Sequence, residues 1–282
     1  MPHPQNIRSM TRDEVDLAIA WAAGEGWNPG CHDAACFHAA DPEGFLIGEV
    51  NNEPVSMISA IRYGDDFGFI GFYIVKPEYR GQGYGFAIWQ AAMDRLKGRN
   101  IGLDGVVDQQ DNYRKSGFTL AYRNIRYEGR GAGGDTTAHD LVPLNSLRFE
   151  KVLAYDRSFF PADRQSFLGP WVSQSDSLAL AVVRDDHLSG YGMRRRCQTG
   201  WKIGPLFANT TDDAERLFQG LVAGVPADAP VFLDVPEVNP EAVALAERYN
   251  MSVVFETARM YTGPDPELPV DRLFGVTSFE LG

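Results

Sequence analysis

Arg80, Gly81, Gly83 and Gly85 lie close together in VKPEYRGQGYGFAIWQAAMDRL, Val75 to Leu96, directly ahead of a helical pattern. Ile88, Ala92 and Leu96 fall on one side of that helix, with Trp89 and Met93 beside them. A helix start presents unpaired N–H groups and the positive end of its dipole. Glycines remove the side chains that would hold an anion away, and Arg80 adds a cation. The chemistry open to this stretch is the binding of a phosphate or pyrophosphate; the bland alternative is a tight strand-to-helix turn. Two familiar phosphate loops do not fit. A dinucleotide site needs G-x-G-x-x-G in a parallel sheet, whereas the order here is R-G-Q-G-Y-G after an apparent antiparallel meander. The nucleoside-triphosphate loop needs a Gly-Lys-Ser/Thr ending, which this stretch lacks.

The elements that must hold these residues follow from periodicity. TRDEVDLAIAWAAGEG reads as a helix, with Thr11 and Glu14 spaced as a capping box and Val15, Ile19 and Ala22 on one face. CHDAACFHAA reads as a short second helix. FLIGEV and PVSMISAIRYG read as strands joined by an Asn-Asn-Glu turn, and FIGFYIV as a third strand leading into the glycines. IGLDGVV, QQDNYRKSG and FTLAYRNIRYEG then read as strand, short helix and strand. The glycine-rich GRGAGGDTTAHD, Gly129 to Asp140, reads as a linker. Beyond it the same grammar recurs at low identity, with LSGYGMRRRCQTGW as an interrupted strand. The expected fold is α+β with a mixed sheet, in two tandem units: 1–130, a linker at 131–140, and 141–282.

Composition narrows the classes. The 282 residues carry 26 Lys and Arg against 38 Asp and Glu, a net charge of −12. Both halves are acidic and neither has a basic tract that would track a phosphate backbone, so nucleic acid is not an expected partner. No apolar run is long enough to span a bilayer, and the start does not read as a secretory signal. Three sparse cysteines fit a reducing compartment, so the expected location is cytoplasmic. Cys31, His32, Cys36 and His38 match no closed zinc spacing, and no metal is expected.

The strand, the glycine loop and the helix together resemble the acyl-coenzyme A signature of the GNAT N-acetyltransferase superfamily, [Q/R]-x-x-G-x-[G/A], with Arg80, Gly83 and Gly85 at its defining positions. The resemblance implies acetyl-CoA as cosubstrate, its pyrophosphate on the N–H groups of Gly81, Gln82, Gly83, Tyr84 and Gly85. It also implies that the preceding strand splays from its parallel neighbour and grips the pantetheine arm and acetyl carbonyl near Ile74 and Val75. YRKSGF matches the family's Tyr-x-x-x-Gly-Phe, which makes Tyr113 the implied general acid for the departing thiolate; its bland alternative is simple packing of an amphipathic ring. One position departs from the family. Members commonly carry Asn seven residues before this tyrosine, where this chain has Val106, which puts coenzyme contacts from that loop in doubt; Gln109, Gln110 and Asn112 are the available replacements.

The general base is less determined. Glu25, between glycines in GEGWNPG, leads, because the turn falls where the family builds its substrate-facing wall. Trp27 would wall the pocket there and Asn28 would bind a polar group of the substrate. Glu49, Asp108 and, more weakly, Asp33 are reserves. No Ser–His–Asp or Cys–His arrangement has supporting context, so direct attack of an amine on acetyl-CoA is expected.

In the second half the corresponding stretch, KIGPLFANTTDDAERLF, has one glycine, and Asp212 and Asp213 at the helix start would repel a pyrophosphate. That half resembles a degenerate GNAT unit of a tandem subgroup ending in a form like RLFGVTSFELG. Its role is open: closing the substrate pocket, assembly such as a homodimer, or binding a small molecule. Arg194, Arg195 and Arg196 would alternate faces of a strand, so one must point inward to a partner such as Asp234, Glu237 or a ligand carboxylate. The expected function is N-acetylation of a primary amine on a small molecule or amino-acid-like substrate. The alternatives are acetylation of a peptide or protein, at lysine or an N-terminus, and noncatalytic sensing of acyl-CoA.

Overall fold

A computed structural model describes residues 5–134 and 140–282; His3, His139 and residues 135–139 of the expected linker lie outside the described residues. The first half runs β1 (Asn6–Ser9), α1 (Val15–Gly24), α2 (Asp33–Ala40), β2 (Phe45–Val50), β3 (Glu53–Tyr63) and β4 (Phe67–Val75). It continues with α3 (Tyr84–Arg95), β5 (Asn100–Val106), α4 (Gln110–Lys115) and β6 (Thr119–Arg130). The second half runs β7 (Leu141–Pro143), α5 (Phe149–Asp156), α6 (Gln165–Trp171), β8 (Ser177–Arg184), β9 (His187–Arg196) and β10 (Trp201–Ala208). It ends with α7 (Thr211–Val222), β11 (Pro230–Pro236), α8 (Pro240–Arg248), β12 (Ser252–Tyr261) and β13 (Leu273–Gly275).

Local chemistry accounts for the element ends. Thr11 N–H donates to the Glu14 carboxylate at 2.8 Å and Glu14 N–H donates to Thr11 Oγ1 at 3.4 Å, the reciprocal pair of a capping box just ahead of α1. Asn51 and Asn52 both adopt left-handed backbone, φ 52° and 64°, as a two-residue hairpin between right-twisting strands requires. Two details differ from the sequence expectation. β9 is uninterrupted to Arg196, because the break falls in the turn after it, and β6 extends into the stretch expected to be linker.

The strands form one mixed sheet in the order β1-β2-β3-β4-β5-β12-β6-β11-β10-β9-β8-β7, with β13 on β10. Each half contributes a parallel pair, β4 with β5 and β10 with β11. The last long strand of each half is exchanged: β12 lies antiparallel between β5 and β6, and β6 pairs with β11. Residues of both halves share the same cores. α1 and α2 cover one face of the first unit, with Phe45, Phe69 and Phe72 beneath them and Phe160, Phe167 and Trp171 of the second half packed in. α3 covers the opposite face, over Ile58, Ile70, Leu103 and Met260.

Buried ion pairs cross the seam. Arg195, on β9, donates to Asp33 at 3.0 Å, both side chains inaccessible to solvent. Arg126 forks onto Asp234 at 2.6 and 2.8 Å. The inward member of the arginine cluster therefore meets Asp33, which corrects the expected partners Asp234 and Glu237. It also removes Asp33 from the candidate bases.

The two parallel pairs diverge at equivalent places, with different consequences. β4 leaves β5 after Ile70–Leu103. There Phe72 takes a left-handed φ of 48°, and Phe72 and Tyr73 oppose the single residue Ile58, a β-bulge that bends β4 away. β10 leaves β11 after Ile203–Leu233, but β13 lies against β10 beyond that point, with Leu206 opposite Gly275. The first opening is a cleft; the second is filled by the chain's own β13. Asn239 links α8 to this plug, accepting from Glu241 and Ala242 N–H and donating to the Asp271 and Leu273 carbonyls. Asn239→Ala should cost about 2 kcal/mol, the loss of a cap plus buried carbonyls left unpaired, read as a lowered urea midpoint.

Candidate active site

The cleft between β4 and β5 has a volume of about 750 Å³. At one end stand Arg80, Gly81, Gly83 and Gly85. Gly83 caps α3 in left-handed backbone, φ 91°, and Gly81 has φ 74°. No atom lies within 4 Å of where a Cβ on either would stand, so the space over the loop is open. Gly85 is the opposite case: a Cβ there would come within 2.7 Å of Tyr73 Oη. The first helical bond of α3 is from Ala87 N–H to the Gly83 carbonyl, which leaves the N–H groups ahead of it without helical partners. These backbone donors and the open space over them fit an anion such as a pyrophosphate.

Arg80 is tied on both sides. Its Nε donates to the Val75 carbonyl at 2.8 Å, and a terminal nitrogen donates to Glu25 at 2.6 Å. Ile74 and Val75 line the cleft. The Gln82 and Tyr84 side chains do not line it. Gln82 donates to the Glu78 carbonyl, and Tyr84 packs on Tyr79 with ring centroids 5.9 Å apart, so these two residues have only their backbone to offer the cradle.

Tyr113 also lines the cleft, only 8% exposed, with its ring 5.5 Å from that of Trp89. A Cβ at Gly105 would stand 2.2 Å from the Tyr113 ring, so the absence of a side chain on β5 is what lets the tyrosine lie there. Burial pushes the Tyr113 phenol above its ordinary pKa, so the group stays protonated at neutral pH. Asp104 forms the floor, held by Arg259 at 2.8 and 2.5 Å.

The proposed acceptor-side residues divide. Glu25 and Trp27 line the cleft, but Glu25 is engaged by Arg80 at the cradle end. Asn28 is elsewhere: its amide donates to the Thr199 carbonyl at 2.8 Å and accepts from Thr199 N–H at 3.1 Å. Its polar atoms tie the two halves together, which corrects its assignment to substrate. Glu49 is bound by Arg8 outside the cleft, and Asp108 lines the cleft but is exposed.

Four lining residues come from the second half: Phe255, Thr257, Phe279 and Glu280. Pattern reading gave none of them a site role: Phe255 and Thr257 lie on a strand without a motif, and the RLFGVTSFELG ending that holds Phe279 and Glu280 pointed only to the subgroup; strand exchange brings in the first two and the path after β13 the others. The second half's own helix start is closed to anions. Thr210 Oγ1 caps the helix by accepting from Asp213 N–H, and the Asp213 carboxylate accepts from Ser189 and Arg184; burial pushes this carboxyl up, but the donors outweigh that and depress it. Tyr249 is bonded to Gln219 and Glu215, away from any opening between β10 and β11.

Comparison with known proteins agrees with this architecture. A family model described as Acetyltransferase (GNAT) family matches residues 12–118, and one described as Acetyltransferase (GNAT) domain matches 152–275. A holothin acyltransferase of Pseudoalteromonas sp. (strain SANK 73390) is 29% identical over 96% of this chain and 92% of its own length. The fold is shared with a putative acetyltransferase from Pyrococcus horikoshii (24% identity, TM-score 0.83, covering 100% of this chain and 97% of that one). It is shared also with a tandem GNAT protein from the clavulanic acid biosynthesis pathway (13% identity, TM-score 0.63, 93% and 100%). With a GNAT match on each half, an open cleft in the first and a plugged one in the second, the chain belongs to the GNAT acetyltransferase superfamily as a tandem of two such units.

Proposed function

We propose that the first unit transfers an acetyl group from acetyl-CoA to a primary amine of a small molecule or amino-acid-like acceptor, by direct attack. The observation that carries this reading is one open cleft lined both by the glycine loop with its unpartnered backbone N–H groups and by the buried Tyr113. Bound acetyl-CoA would supply the acyl thioester. The Gly81–Gly85 backbone would hold its pyrophosphate, Ile74 and Val75 would flank the arm, and Tyr113 would hand its proton to the departing sulfur. Walls contributed by Phe255, Phe279 and Trp27 favour a small acceptor over an extended peptide. The name of the Pseudoalteromonas relative, an acyltransferase for holothin, supports the same class. A cytoplasmic location remains our proposal; it is supported by three cysteines without disulfides, and among the described residues no helix is long and apolar enough to cross a membrane.

The test is calorimetric titration with acetyl-CoA, followed by thiol release over a panel of primary amines. Tyr113→Phe should lower kcat by about 100-fold with acetyl-CoA affinity nearly unchanged. A protein that fails to bind acetyl-CoA would overturn the reading. A Phe variant with full kcat when chemistry limits turnover would remove Tyr113 from it.

A further inference from the structure

After β13 the chain runs from the second unit into the first. Val276 N–H donates to the Asp234 carbonyl, Arg164 donates to Thr277 Oγ1 at 3.1 Å, and Tyr63 Oη donates to the Leu281 carbonyl at 3.1 Å. Residues 276–282 are thereby threaded through the interior to the first unit's cleft. The Glu280 carbonyl rests where a Cβ on Gly71 would be, 2.0 Å from it. Gly71 is the residue at which β4 parts from β5. Glu280 therefore sits at the apex of the opening.

Glu280 is 3% exposed and is one of the residues that line the cleft, and its Oε2 is buried with no hydrogen-bond partner. A buried carboxylate oxygen without a donor is costly, so its persistence calls for a partner from elsewhere. The surrounding charges do not supply one. Arg126 is committed to Asp234 and Arg195 to Asp33. Lys202 is buried, and its Nζ lies 3.4 Å from the Trp27 carbonyl; among the described residues it has no carboxylate within 4 Å. Three cations thus face three acids, and Glu280 is the acid left without a hydrogen-bond partner.

Tyr113 belongs to the core on the α3 face, whereas Gly71 meets Glu280 beside Leu281, Phe69 and Phe72 on the α1–α2 face. Tyr113 and the Glu280 backbone thus reach the opening from opposite sides of the sheet.

We infer that Glu280, delivered by the second unit, is the carboxylate that holds the acceptor's ammonium at the thioester and takes its proton. This rests on the acyl-transfer reading above. The ammonium gives one proton to Glu280, and the freed nitrogen lone pair forms the N–C bond to the acyl carbon. The C–S bond breaks with its electron pair on sulfur, which takes the Tyr113 proton. The nitrogen's second proton restores Tyr113 through solvent and Glu280 releases its proton to solvent, so one proton is released per amide and thiol formed. Aromatic walls from Phe255, Phe279 and Trp27 would exclude water from the same place. The second unit then contributes directly to the chemistry. Its own opening is plugged by β13, and the continuation of that plug completes the first unit's site.

The test needs no knowledge of the natural acceptor. Two probes are titrated calorimetrically, S-(2-aminoethyl)-coenzyme A, which carries an ammonium beside the sulfur, and S-propyl-coenzyme A, its uncharged counterpart. The wild-type protein should prefer the ammonium probe by at least about tenfold, the worth of a charge-assisted hydrogen bond in a dry site. Glu280→Gln should erase that preference while holding S-propyl-coenzyme A affinity within about twofold, and Glu280→Asp should keep part of it. Equal affinities in the wild type, or a preference that survives in Glu280→Gln, would overturn the inference and reduce Glu280 to a countercharge for Lys202. If the wild type bound neither probe, the coenzyme reading would fall first and this inference with it.

Discussion

Gly83→Val is expected to lower acetyl-CoA affinity by at least about 100-fold while leaving the far-UV circular dichroism unchanged. Two costs combine. Gly83 holds φ 91°, a conformation that disfavours a β-branched residue by roughly 1–2 kcal/mol. The added side chain would also project into the open space over the cradle, where no protein atom now lies within 4 Å. Losing two charge-assisted bonds from backbone N–H to phosphate at about 1.5 kcal/mol each corresponds to roughly 100-fold in affinity. The measurement is calorimetric titration of wild type and variant under one buffer and salt. Equal affinities would move the phosphates away from this loop.

Arg195→Ala should be the most destabilising single substitution at the seam, by about 3–5 kcal/mol, because it strands Asp33 as a buried charge. The guanidinium also covers the Trp171 ring at 4.3 Å and lies 3.3 Å from the Gly204 carbonyl, so packing is lost with the charge. Urea unfolding would read the loss. The double variant Arg195→Met with Asp33→Asn should recover most of it, since the carboxamide oxygen can still accept from Gly30 N–H, now bonded at 2.8 Å, and no charge remains buried. A loss below about 1 kcal/mol for the single variant would mean that the seam does not depend on this pair.

Local pattern carried far along this chain because local physics governs the features it encodes. The Thr11–Glu14 capping box, the Asn51–Asn52 hairpin and the glycines before α3 are each set by neighbours a few residues away. The same holds for the contrast between the two helix starts, where three glycines stand in one half and Asp212 and Asp213 in the other. The acyl-CoA resemblance rested on such features, and the family matches on both halves agree with it.

Site residues were legible to the extent that a motif held them. Arg80, the glycines and Tyr113 all line the cleft. Asn28 was placed there by the position of its turn, and its amide instead binds Thr199, a residue distant in the chain. Glu25 reached the cleft but found Arg80. A carboxylate's availability depends on what else arrives beside it, which periodicity does not report.

From the sequence alone come the two repeated units, the cradle in one and its loss in the other, because spacing, caps and glycine backbone act within a single turn or strand. Tertiary structure alone decided the rest: which strands exchange, what fills the second opening, and that Glu280 stands at the first. Period-two alternation says which face of a strand is buried and not which strand lies beside it. A three-residue strand such as β13 has no period at all. Its register on β10 is chosen by packing of Gly275 against Leu206 and Leu233, contacts that exist only once β10, β11 and β13 have come together in the second half.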